Sequence, residues 1–106
     1  MGKYLYQVKY TTEGMKGVLA EGGSKRVEEV SRVAQAMGGS LESLHFSYGE
    51  YDAILIIDLP SKVNVAASLL MVEATGTATA KVTELMTANE MDEASKKVLP
   101  YRAAGQ

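Results

Sequence analysis

The segment Ser47-Tyr48-Gly49-Glu50-Tyr51-Asp52-Ala53-Ile54-Leu55-Ile56-Ile57 constrains the fold more than any other part of the chain. A polar, glycine-centred turn runs straight into five consecutive apolar residues. Successive side chains of a strand point to opposite faces, so this strand is apolar on both faces and needs cover on both. One layer of helices supplies one cover. The simplest supplier of the other is a second copy of the same sheet, related by a two-fold axis.

The rest of the chain fits around such a strand. Tyr4–Tyr10 alternates, with Tyr4, Tyr6, Val8 and Tyr10 on one face and Leu5, Gln7 and Lys9 on the other, which predicts a first strand. Thr11 and Thr12 offer capping hydroxyls for a short helical turn carrying Met15, Val18 and Leu19, broken at Gly22-Gly23. Ser24 is then the expected cap of a helix whose apolar positions are Val27, Val30, Val33, Ala34 and Met37, with Glu28 and Arg32 paired on its outer side and Gly38-Gly39 ending it. Residues 40–48 predict a strand with Leu44, Phe46 and Tyr48 on one side and Leu41, Ser43, His45 and Ser47 on the other. A two-residue turn at Gly49-Glu50 would set Tyr48 opposite Tyr51, Phe46 opposite Ala53 and Leu44 opposite Leu55. It would also gather His45, Ser47, Asp52 and Ile54 on one face.

Pro60 stops the third strand and Ser61 caps a helix over residues 62–75. That helix carries two apolar stripes, Val63, Ala66, Ala67, Leu70 and Ala74 in one and Val65, Leu69 and Val72 in the other. A helix so broadly apolar is expected to be covered on more than one side. Residues 77–85 predict a threonine-rich fourth strand, and Thr87-Ala88-Asn89-Glu90 is a capping box opening a last helix that ends before Pro100. The order β-α-β-β-α-β plus a terminal helix is the ferredoxin-like pattern, an α+β fold in one domain spanning residues 1–106.

Composition excludes several classes of chemistry. The chain has 106 residues, 46 % of them apolar, and a formal net charge of −2 with both signs interspersed, so it lacks the basic stripe of a nucleic-acid binder. It has no cysteine and one histidine, which removes thiol nucleophiles, disulfides and thiolate metal sites, and no metal site or cofactor is expected. No apolar run reaches the length of a membrane span, no signal-peptide pattern opens the chain, and the expected compartment is the cytoplasm.

The candidate ligand-binding residues are His45, Asp52, Tyr6 and Tyr10. His45 is the sole imidazole and, with Asp52 near it, would form an acid–base pair; the plainer reading is a strand histidine held locally or at an interface. Tyr6 and Tyr10 would offer phenol groups to a pocket, or pack as core aromatics. Asp52 beside a glycine turn is also a common local hydrogen-bonding residue. Gly22-Gly23-Ser24 lacks the spacing and the lysine of a phosphate loop.

Lys3-Tyr4-Leu5, Tyr10-Thr11-Thr12-Glu13-Gly14, Gly38-Gly39, Tyr48-Gly49-Glu50-Tyr51-Asp52 and the Gly76-Thr77 junction together resemble the GYD-domain proteins, over roughly residues 3–102. Here Glu50 stands between Gly49 and Tyr51, interrupting the tripeptide that gives the family its name. The resemblance implies a dimeric α/β-barrel of ferredoxin-like subunits, bacterial or archaeal, with no assigned role and no catalytic residue to carry over. Three functions follow as expectations: a homo-oligomeric ligand-binding or structural module; a cofactor-free isomerase, lyase or monooxygenase for a small hydrophobic compound, by fold analogy; and, third, a haem-binding protein using His45.

Overall fold

The two segments with apolar residues on both faces become the two inner strands. A computed structural model describes residues 2–106 as β1 (Gly2–Tyr10), α1 (Thr12–Glu21), α2 (Gly23–Ala36), β2 (Ser40–Phe46), β3 (Ala53–Leu59), α3 (Lys62–Ala74), β4 (Ala78–Leu85) and α4 (Ala88–Ser95). The four strands form one open antiparallel sheet in the order β2-β3-β1-β4. The fold is therefore α+β, with four helices beside a four-stranded sheet.

The core lies on one face of that sheet. Tyr4 and Tyr6 of β1 and Leu55, Ile57 and Leu59 of β3 pack with Ala34 of α2 and Val65 of α3. Burying side chains of this size is the main favourable term for a domain of this length. On the reverse face Leu5 pairs with Ile56 and Gln7 with Ile54. None of these is buried, and Ile54 is 37 % exposed.

Several local expectations change. The turn after Thr11 is a full ten-residue helix, with the Thr11 hydroxyl accepting from Gly14 N–H at 3.2 Å. The start of α2 is Gly22, not Ser24: one residue separates the two helices, and Gly22 turns the chain at φ +82°, a conformation that favours glycine. Arg32 bonds Glu29, three residues back, rather than Glu28. A β-bulge between Leu41 and Ser43 shifts the β2 register, so Leu41 (opposite Ile57) and Leu44 (opposite Leu55) both pack on the core.

The β2–β3 turn is longer than two residues. Phe46–Ala53 and Leu44–Leu55 pair as expected, but the last link is Ser47 N–H to Asp52 C=O at 2.8 Å. Asp52 is drawn toward β1, its N–H donating to Val8 C=O at 2.8 Å, and the loop must bridge from there. Tyr48, 98 % exposed, consequently has no ladder partner in Tyr51.

The expected caps of α3 and α4 form. Ser61 accepts from Asn64 N–H at 3.4 Å, and Thr87 with Glu90 closes a capping box. Inward from α3 point Val65, Ser68 and Leu69, whereas Val63 and Leu70 are 70 % and 72 % exposed. Every residue from 86 to 106 is exposed, so α4 and the tail stand out from the rest of the chain, and with them the principal extents are 57 × 33 × 22 Å. Among the described residues no helix is long and apolar enough to cross a membrane.

Candidate functional site

A cavity of about 420 Å³ opens between α2, α3 and the inner face of the sheet. Its origin lies in residue size. The rows of that face at Tyr4 and Tyr6 are filled by Ile57, Leu41, Leu55, Leu44 and Val82. In the next row Val8 lies between Ala53 on β3 and Ala80 on β4, and Tyr10 then meets Ala78. Alanine on both sides leaves a gap that the helices do not close. Val30 and Val33 of α2 and Leu69 and Val72 of α3 form its apolar walls, and Arg26, Glu29 and Arg32 of α2 stand at the rim.

Polar groups are few and placed at identifiable points. The Tyr6 hydroxyl lies 2.7 Å from Ser68 Oγ, and Ser68 Oγ donates to the Val65 carbonyl at 2.6 Å. Burial raises the Tyr6 pKa above the ordinary phenol value. Tyr10 is raised for the same first reason, opposed by Arg26 and assisted by Asp52 and Glu21. Both phenols therefore stay neutral at physiological pH and act as hydrogen-bonding groups, not as bases. Among the described residues Arg26 Nε is buried without a hydrogen bond: Glu21 Oε1 is 3.3 Å away, close enough for ion pairing but not aligned with the N–H.

Of the four candidate residues, the structure brings Tyr6 and Tyr10 together in this cavity and leaves His45 and Asp52 outside it. His45 pairs with Ile54 and is exposed; among the described residues its side chain makes no hydrogen bond. The buried Asp52 carboxylate is occupied by Tyr10 N–H at 2.9 Å and Lys9 Nζ at 3.3 Å, so it fastens the end of β1 and does not orient His45. Among the described residues no cluster of His, Cys, Asp or Glu has a metal-holding arrangement.

Ser68, Arg26 and the three alanines escaped the reading by sequence. The alanines carried a signal: Ala53, Ala78 and Ala80 occupy inward positions of strands, where larger residues normally fill the core. Ser68 carried one too, as the polar residue inside the apolar stripe of α3.

No curated protein and no solved structure matches the chain. The family model of the GYD domain matches residues 4–95, which takes in the sheet apart from the first two residues of β1, all four helices and every residue lining the cavity. The chain belongs to the GYD-domain family.

Proposed function

We propose that this protein is a homo-oligomeric binding module for a small, mainly hydrophobic compound, held between α2, α3 and the sheet. The observation that carries the reading is the cavity: apolar walls, a volume suited to a small molecule, and a few convergent polar groups, the usual make-up of a ligand site. The subunit is read as ferredoxin-like, which the strand order β2-β3-β1-β4 supports. Two subunits join through the outer sheet face into a dimeric α/β-barrel; the support is the row Ser43-Ile56-Leu5-Thr83, apolar at its centre and polar at its ends.

A cofactor-free enzyme is the second reading. It is favoured by one observation, a buried tyrosine hydroxyl in the cavity wall, a group that could hold a substrate in place. Binding of the environment-sensitive dye 1-anilinonaphthalene-8-sulfonate tests the cavity itself. The wild type should enhance its fluorescence. Ala80→Leu, which fills the gap beside Val8, should lose most of that signal while melting no lower. Equal dye binding by wild type and Ala80→Leu would place the dye elsewhere and sink the proposal.

A further inference from the structure

The hydroxyl protons of Tyr6 and Ser68, in the cavity wall, are fixed by their partners. Ser68 Oγ stands 2.6 Å from the Val65 carbonyl oxygen. A carbonyl only accepts, so the single Ser68 proton is in that bond. Tyr6 Oη is 2.7 Å from Ser68 Oγ, and with the serine proton already used the tyrosine must donate. The chain of donation therefore has one direction: Tyr6 to Ser68 to the backbone of α3. Turning the phenol proton toward a ligand would leave two oxygens 2.7 Å apart with no proton between them. Tyr6 and Ser68 are 6 % and 9 % exposed, so water does not easily repair such a loss.

Both residues line the cavity, and both hydroxyl protons are committed. What they offer an occupant is lone pairs alone. We infer that the cavity takes a neutral alcohol or phenol on an apolar body, whose O–H donates to Tyr6 Oη. A ketone, ether or carboxylate placed there would set its own lone pairs against those of Tyr6. Size is compatible, since the cavity of about 420 Å³ holds a compound of one or two rings. This inference rests on the binding reading and adds to it the polarity of the recognised group.

The test uses three near-isosteric probes, tetralin, 2-tetralone and 2-tetralol, each displacing 1-anilinonaphthalene-8-sulfonate from the full-length protein. The wild type should bind 2-tetralol about fivefold more tightly than 2-tetralone, the worth of one ordinary hydrogen bond. Tyr6→Phe should bring the two within about twofold of each other. Ser68→Ala should tighten 2-tetralone and bring it within about twofold of 2-tetralol, because the freed Tyr6 proton can then be donated to a carbonyl or a hydroxyl oxygen alike; a purely structural role for the pair would leave the wild-type preference unchanged. Circular dichroism confirms that each variant is folded, and the wild-type comparison needs no variant. If the wild type binds all three probes equally, the donor inference fails and the binding reading survives. If neither dye nor probes bind, the binding reading fails and the donor inference with it.

Discussion

A single methyl group at Gly39 would not fit. Its Cβ would lie 1.9 Å from the Asp58 carbonyl oxygen, where β2 meets β3. Gly39→Ala should cost about 1–3 kcal/mol as backbone and neighbours shift. Gly17, in the middle of α1, has nothing within 4 Å of its added Cβ, and Gly17→Ala should stabilise by about 0.5–1 kcal/mol through better helix propensity. Urea denaturation midpoints moving in opposite directions would bear this out, and equal shifts would contradict it.

The two cavity tyrosines make a prediction in pH. Their pKa values are raised in the fold above those of the unfolded chain. The folded state therefore holds protons that the unfolded state releases, and stability falls as pH rises through the alkaline range. Below about pH 9 neither state ionises these phenols appreciably and their contribution is constant. Above that, stability should decline, and less steeply for Tyr6→Phe and Tyr10→Phe than for the wild type. Denaturation curves at pH 8 and pH 10.5 give the comparison; identical slopes in all three proteins would count against it. His45 and Asp52 show the limit of reading a pair from strand alternation. Alternation gives the face of a residue but not its partner, and Asp52 is taken by a backbone N–H on β1, a neighbour 42 positions away.

At the scale of elements, periodicity was a good guide and register a poorer one. All four strands, the Thr87–Glu90 capping box and the helix after Pro60 were legible, because each follows from local spacing and short-range hydrogen bonds. The bulge at Leu41/Ser43 and the long β2–β3 turn were not, since both depend on partners elsewhere in the sheet. The two stripes of α3 were legible as stripes, but only the structure shows which faces inward. Leu69→Lys, on the inner stripe, should destabilise by about 2–4 kcal/mol through lost packing and a charge brought next to the core. Leu70→Lys, one residue on and exposed, should change stability of the subunit by no more than about 0.5 kcal/mol. Thermal melts of the two variants separate these outcomes, and similar losses for both would mean that the outer stripe is also covered.

For the whole molecule, the sheet order places Leu5, Ile54 and Ile56 at the centre of the outer face. On the dimer reading, Ile56→Asp should halve the mass measured by light scattering at micromolar concentration and leave far-ultraviolet circular dichroism unchanged, because a charge there meets the partner and not the core. A wild type that is already monomeric at that concentration would end the dimer reading. The cavity, by contrast, could not be read from any one element. It arises from small residues on two strands meeting across a third, and from two helices that stand apart over them. The projecting C-terminal arm matters to how assembly is measured. It gives one chain a radius of gyration of 17.0 Å, where a compact chain of 106 residues has about 13 Å. In hydrodynamic terms a single copy moves through a sizing column as a larger sphere would, and elution volume alone would report a dimer whether or not one had formed. Shortening the chain at Thr87 would delay its elution without changing the number of subunits, so that number has to be read from mass.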